Sequence, residues 1–510
     1  MLTRIYTATT LGLEPIKIEV EIDANRGKPD FIIIGLPSKT LDEAKERITS
    51  ALRNCDVRIR SKRTIVNLAP ADIKKTSPVF ELAIAVGLLK MYGEITTETD
   101  DTIFFGELSL DGELKKIRGA LPLILAAKEM GFKKVILPAA NSAEVSVITG
   151  IEIYPLQSLH EYLAANKAGQ QLTPLKPQAF DNLFQTKIDE SQIDLSDIHG
   201  QESAKKALEI AAAGGHNLLM VGPPGAGKSM LAQALISILP PLTQIEAIEA
   251  SKIYSVCGLS PNEGLILKRP FRSPHHSTSQ VGLIGGGSDL HPGEISLSHR
   301  GILFLDEFPE FTRSSLEALR QPLETGEVVI SRASGSAKYP SRFTLIAAAN
   351  PCPCGYYGSL KKNCICTPYF LEKYQKKLSG PILDRIDLYV AIDDVEVKKL
   401  VDHDSKGREQ SIKVRERVQQ AREIQRLRFA KTKYLTNSEL TSKDVKKLMK
   451  LTDGARGLLK QAVEKLGLSA RSYFKIIKVS QTIADLAGEK IITNLHVAQA
   501  LQYRQQRSEV

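Results

Sequence analysis

Residues 222–229 read Gly-Pro-Pro-Gly-Ala-Gly-Lys-Ser and directly follow the apolar run Asn217-Leu-Leu-Met-Val221. A buried strand passing through such a loop into a helix points to an α/β sheet, because the loop works by turning successive N–H groups and a helix N-terminus toward one anion. Gly222, Gly225 and Gly227 let the backbone curl around phosphates, with Pro223, Pro224 and Ala226 between them. Lys228 then reaches the β- and γ-phosphates and the Ser229 hydroxyl holds Mg²⁺. The expected ligand is a nucleoside triphosphate.

Two further apolar runs end in groups suited to that ligand. Gly301-Ile-Leu-Phe-Leu-Asp306-Glu307-Phe308 is a Walker B pattern. Asp306 would hold Mg²⁺ through water and Glu307 would polarise the attacking water, since γ-phosphate hydrolysis is mostly positioning and charge neutralisation. Taken alone, an Asp-Glu pair after a strand is ordinarily a helix N-cap with a first-turn acid; beside the phosphate loop the catalytic reading prevails. Phe343-Thr-Leu-Ile-Ala-Ala-Ala-Asn350 puts Asn350 at a strand end, either to orient the water or to open the turn before Pro351. Arg385, between Asp384 and Asp387, is either a solvated ion pair or a finger entering a neighbouring subunit's site. Leu468-Ser-Ala-Arg471 starts a helix capped near Ser469 and packed through Leu468, Ile476, Ile477 and Val479, where Arg471 is a solvated face residue unless it meets phosphate.

In this order the segments resemble an AAA+ ATPase with Walker A, Walker B, sensor 1 at Asn350, arginine finger at Arg385 and sensor 2 at Arg471. Arg272-Ser-Pro-His-His276, Gly285-Gly-Gly287, Pro292-Gly-Glu-Ile-Ser-Leu297 and Asn350-Pro-Cys-Pro-Cys-Gly355 are more specific. Over nearly the whole chain they resemble the ComM/YifB family of the magnesium-chelatase-related branch. That resemblance implies a hexameric, DNA-dependent ATPase using ATP and Mg²⁺, with catalytic roles for Glu307, Asn350, Arg385 and Arg471. Arg471 would sit over the γ-phosphate from a small lid. ComM-type members are helicases that drive branch migration when single-stranded DNA is integrated during natural transformation. The implied partners are single-stranded or branched DNA, further copies of the chain, and recombination proteins. The competing readings are a magnesium-chelatase-type motor subunit and a protein-remodelling ATPase without nucleic acid.

The seams in the chain suggest an α/β fold class in several parts. Residues 1–165 alternate strand and helix signals, among them Ile16–Ile22, Phe31–Ile34 and an amphipathic helix from Leu41 to Asn54. Val66–Asp72, Ser77–Ala85 and Gly106–Lys115 make this part similar to the Lon-protease domain, but the Ser-Lys dyad is incomplete: Lys115 is near the family lysine, whereas Val79 or Phe80 occupies the nucleophile's place and Ser77 is displaced from it. The expectation is a Lon-like domain without peptidase chemistry. Residues 166–191 read as a linker, 192–395 as an AAA+ P-loop core, and 396–510 as a basic C-terminal helical lid, with Ser411–Phe429 one helix and Gly454–Ala487 two or more. Residues 401–510 hold 23 Lys and Arg against 12 Asp and Glu, a net +11, while the preceding 400 residues, with 45 against 46, carry −1. Such a basic region is either a solvated face or a source of contacts to nucleic acid, an acidic protein or lipid. No apolar run reaches the ~18 residues of a membrane span and no signal segment opens the chain, so a cytoplasmic protein with no membrane partner is expected.

Three smaller patterns complete the reading. Cys352, Cys354, Cys364 and Cys366 form two C-x-C corners, which fit a structural Zn²⁺ bracing the exit of the Asn350 strand, or else reduced thiols in a tight loop. Adjacent His275 and His276 fit loop packing or a subunit contact better than metal binding. Residues 327–342 read as a β-hairpin turning at Gly335, where Arg332 and Lys338 are either solvated charges or, by analogy with related ring helicases, contacts to the DNA backbone.

Overall fold

Alternating residues of Glu14–Asn25 bury Ile18, Val20 and Ile22, so one face of this strand covers a core. In the computed structural model, which describes residues 2–25, 30–35, 38–57, 63–70, 78–185, 193–261, 264–287, 289–332, 335–359, 362–377, 380–393 and 409–504, it pairs antiparallel with Leu2–Leu11 and with Arg63–Ala69. Parallel strands extend the sheet to seven: Asp30–Ile34 beyond Arg63–Ala69, and Thr102–Phe104, Lys134–Pro138 and Glu152–Leu156 beyond Leu2–Leu11. Helix Glu81–Met91 is apolar on nearly every side and buried from Glu81 to Leu89, as a helix enclosed within a core must be. The expected amphipathic helix is Ser38–Asn54, turning Ala44, Ile48, Ala51 and Leu52 inward. Val79 and Phe80 are buried, and Lys115 stands exposed on a short ribbon, 2.8 Å from Glu113. Ser77 lies outside the described residues.

The second sheet has five strands in the order Phe271–Arg272, Ile302–Leu305, Thr344–Ala349, Leu218–Val221, Leu388–Ala391. Every pairing in it is parallel, so all carboxyl ends share one rim and all amino ends the other. The strand feeding the phosphate loop lies between the strand ending at Asn350 and Leu388–Ala391, with the Asp306 strand one place further out. One core packs helices Glu202–Gly214 and Lys228–Ile238 together with the C-terminal helices Ser411–Phe429 and Ala470–Leu486. Asp453–Leu466 and Asn494–Gln502 complete the helical C-terminal region, and Ser469 caps its helix by accepting from Ser472 N at 3.2 Å.

Two contacts fix how these parts meet. His216, fully buried just before the phosphate-loop strand, shares a 2.7 Å hydrogen bond with Thr482. Asn437 donates to both Thr482 and Asp485, and Arg428 donates to Asp485, so a buried hydrogen-bond network attaches helix Ala470–Leu486 at the amino rim of the sheet. At the tip of the first hairpin, Gly12 has φ +64° and approaches so closely that a Cβ there would lie 2.6 Å from Ala337 Cβ. Ala337 belongs to the hairpin Glu327–Arg332/Gly335–Pro340, whose Val328, Ile330, Ala337 and Tyr339 face inward while Arg332 and Lys338 are exposed. Gly335 opens the return strand, paired with Arg332.

Candidate active site

Because the sheet is parallel, three chemically useful termini arrive at one rim. Gly225 and Gly227 have φ +78° and +88°, a left-handed backbone that favours glycine, and a Cβ on either would meet no other atom. At Gly222 a Cβ would lie 2.4 Å from Ile392 O. Lys228 is buried, and its ammonium uses its protons on Gly222 O at 2.6 Å, Pro223 O at 2.9 Å and Asn350 Oδ1 at 3.0 Å. Burial pushes its pKa down, and the charge of Asp306 opposes that shift. Ser229 donates to Asp306 Oδ2 at 2.9 Å, so the two groups expected to share Mg²⁺ already face each other. The donor set fits the ion: a hydroxyl and a carboxylate leave room for waters and phosphate oxygens.

Glu307 follows with φ +49°, an uncommon left-handed conformation for a non-glycine residue. Its Oε2 lies 3.0 Å from His276 Nδ1. His276 was expected to pack a loop or touch a subunit; within the chain its ring lies against the Glu307 carboxylate. The doublet in Arg272-Ser-Pro-His-His276 was the available signal, but only the fold brings this loop to the end of the neighbouring strand.

The thiols of Cys352, Cys354, Cys364 and Cys366 all lie within 4.8 Å of one another. Separations of 3.3, 3.7 and 3.6 Å among Cys352, Cys354 and Cys364 approach the ~3.8 Å edge of a tetrahedron with ~2.3 Å zinc–sulfur bonds. The residues therefore fit zinc. The same loop leans on the phosphate loop: at Gly355, φ +85°, a Cβ would meet Pro224 Cδ at 2.5 Å.

Arg385 and Arg471 are elsewhere. Both pair with Glu324, in a cleft of about 500 Å³ lined also by Asn217, Gly301, Thr344 and Asp387, residues at the strands' amino ends. Arg471 therefore does not sit over the phosphate loop of its own chain, because the buried His216–Thr482 network holds its helix at the opposite rim. Arg385 is no solvated ion pair either: its side chain is 8% exposed, its partner is Glu324 rather than Asp384 or Asp387, and Asp387 accepts from Asn217 N. Burial, then the charge of Arg471, push the Arg385 pKa down. Glu324, which collects both arginines, had no motif to announce it.

The family description "Magnesium chelatase, subunit ChlI" matches residues 194–400, "Subunit ChlI of Mg-chelatase" residues 20–141, and the subunit ChlI C-terminal description residues 408–504. The chain is 42% identical over 501 residues to competence protein ComM of Haemophilus influenzae, spanning 98% of this chain and 97% of that one. It is 38% identical over 507 residues to the uncharacterized protein YifB of Escherichia coli, covering 99% and 97%. The 38 kDa magnesium-chelatase subunit of Rhodobacter capsulatus is 26% identical over 253 residues, covering 45% of this chain and 68% of that one.

Proposed function

Since the chain belongs to the ComM/YifB family of magnesium-chelatase-related AAA+ ATPases, we propose that it is a ring-forming, DNA-driven ATP hydrolase of the branch-migration type, acting in recombination during natural transformation. One observation carries the assembly: the phosphate loop, Ser229, Asp306 and Glu307 occupy the carboxyl rim, while Arg385 and Arg471 wait at the amino rim around Glu324. A strand of four residues spans roughly 13 Å, so no small movement closes this site within one chain. Copies packed rim to rim, as in a hexamer, complete it, each giving both arginines to its neighbour's γ-phosphate.

Within such a site Lys228 and Ser229–Asp306 exchange their present partners for phosphate and Mg²⁺, Asn350 and Glu307 orient and deprotonate water, and Arg385 with Arg471 meets the charge that develops on the γ-phosphoryl group. Zn²⁺ held by Cys352, Cys354, Cys364 and Cys366 stiffens the wall behind Pro224 and takes no part in the chemistry. The DNA reading is supported by exposed Arg332 and Lys338 on the hairpin, the +11 charge of residues 401–510, and the name of the Haemophilus relative. The N-terminal region, read as a Lon-like fold without a peptidase dyad, serves in this view as a brace for that hairpin through Gly12. Among the described residues no helix is long and apolar enough to cross a membrane, and a cytoplasmic site of action accords with that.

The second reading, a chelatase-type motor working on a protein partner, is favoured by the three ChlI matches. ATPase rates with and without single-stranded or branched DNA separate the two. Strong stimulation, lost at high salt, is expected; indifference to DNA under conditions where the protein hydrolyses ATP would leave the chelatase-type reading standing.

A further inference from the structure

Glu324 lies at the end of helix Arg320–Thr325, and Gly326, with φ +72°, turns the chain from there straight into the hairpin strand Glu327–Arg332. The base of the hairpin is tied across its two strands: Glu327 pairs with Pro340, and Gly326 O accepts from Ser341 N at 2.8 Å. A single oxygen of Glu324, Oε1, accepts from Nη2 of both Arg385 and Arg471. The two guanidinium groups come from distant parts of the chain, one just after helix Gly380–Leu383 and one in the first turn of Ala470–Leu486. Lys475 and Lys478 follow Arg471 on the same face of that helix and line the same cleft, with their ammonium groups on Ile386 O at 2.6 Å and Ser438 O at 2.9 Å. One carboxylate therefore stands at the foot of the hairpin and in the middle of a group of cations.

The partners in this cluster are unequally committed. The Arg385 side chain is 8% exposed and that of Glu324 46%. A guanidinium so nearly buried must keep an anion beside it, whereas a half-exposed carboxylate regains water when it lets go. Asp387 is no substitute, since it accepts from Asn217 N and lies 3.4 Å from His216 Nδ1. A terminal phosphoryl group carries more negative charge than a carboxylate and presents more oxygens to two guanidinium groups, so it displaces a half-exposed ion pair, which is weak. We propose, resting on the site shared between copies described above, that Glu324 is a resident counter-ion: it holds Arg385 and Arg471 in the single chain, the γ-phosphate of a neighbouring copy displaces it, and the hairpin feels its release. Freed from both arginines, the end of helix Arg320–Thr325 can turn. A strand of six residues, about 17 Å from end to end, then carries a small rotation at Glu327 to Arg332. Exposed Arg332 and Lys338 thus meet a DNA backbone differently before and after the neighbouring site fills.

The test uses the full-length protein as wild type, Glu324→Gln and Glu324→Asp. ATP hydrolysis per chain is followed on dilution, and the affinity for a labelled oligodeoxythymidylate is compared between a non-hydrolysable ATP analogue and ADP. Glu324→Gln has no charge to compete with phosphate, so it should keep the plateau rate, reach half of it at a several-fold lower protein concentration, and lose most of the wild-type difference in oligonucleotide affinity between the two nucleotides. Glu324→Asp, a carboxylate of shorter reach, should fall between the two, a graded rescue that a merely structural role does not predict. A plateau rate in Glu324→Gln as low as that of Arg385→Ala would make Glu324 a group that orients the arginines for the transition state and would overturn the counter-ion role, as would an unchanged half-point. A lowered half-point with the nucleotide-dependent affinity intact would overturn the link to the hairpin. Wild type that ignores the oligonucleotide sinks the DNA reading while the half-point still judges Glu324, and a wild-type rate per chain that does not fall on dilution to single chains sinks the shared site itself.

Discussion

At the carboxyl rim of the five-stranded sheet Lys228, Asn350, Ser229 and Asp306 satisfy one another, whereas at the amino rim two arginines from different parts of the chain share the single carboxylate of Glu324. The first arrangement is that of a binding site whose groups hold stand-ins until the ligand comes. The second leaves an excess of positive charge beside a half-exposed acid, an arrangement that another anion can enter. On the function proposed above each rim would be half of a phosphoryl-transfer site, and the buried network around His216, Thr482, Asn437 and Asp485 keeps them apart.

The largest effects belong to the carboxyl rim. Lys228→Ala should abolish nucleotide binding, because Lys228 meets phosphate in the ground state, whereas Glu307→Gln should bind normally and lose hydrolysis by about 10²-fold or more. Equilibrium binding of a fluorescent ATP analogue beside turnover measures both. Normal turnover in the Glu307 variant would break the assignment of that rim.

Next comes the amino rim. Arg385→Ala should lose about 10³-fold or more in rate while still binding nucleotide, as a transition-state contact does. Mixing it with Lys228→Ala protein should restore part of the activity, since some interfaces then pair an intact phosphate loop with an intact arginine. If mixed rings form, shown by differently tagged subunits, and no mixture recovers activity, the two rims do not make one site.

A smaller effect separates the loops that flank the carboxyl rim. Protein purified without added metal should carry one Zn²⁺ per chain, and stripping it should lower the melting temperature by several degrees and weaken nucleotide binding, because the four-thiol loop backs onto Pro224. Elemental analysis near zero with four freely titratable thiols would assign those cysteines to packing alone.

What could be read in the chain beforehand divides along the same line. The phosphate loop, Asp306, Glu307 and Asn350 each sit at the end of an apolar run, so their convergence follows from a parallel sheet, and Ser411–Phe429 emerges as one helix because its pattern is local. The placement of Arg471 was not legible, since it depends on His216 meeting Thr482 from 266 residues away. Nor was the pairing of His276 with Glu307, because neighbouring strands in a parallel sheet carry no trace of their adjacency in sequence. Glu324 collects both arginines without any local pattern of its own.

The smallest expected effect is on acid stability, and it should fall on the amino rim. Glu249 accepts from Arg300 Nε at 2.8 Å and lies 3.2 Å from His299 Nε2, while Arg300 and Arg342 both reach Glu439 in the C-terminal region. His299 Nδ1 accepts from Arg342 N at 3.0 Å, so the ring is neutral with its proton on Nε2, and burial pushes its pKa below the ordinary 6.5. Despite the cost of its own burial, Glu249 is lowered from 4.5 to about 2 by His299 and Arg300. Both shifts are depressions, so the stability they contribute is present above the unfolded values and lost as pH falls: below 6.5 as His299 is forced to charge, and between 4.5 and about 2 as Glu249 is protonated. Since Glu249 is partly exposed, its share is about 1 kcal/mol after solvent screening. Denaturant melts of wild type and Glu249→Gln across that range should therefore differ near neutrality and converge toward pH 2. Parallel curves would mean that the pairing of Glu249 with His299 and Arg300 adds nothing to the stability of the fold.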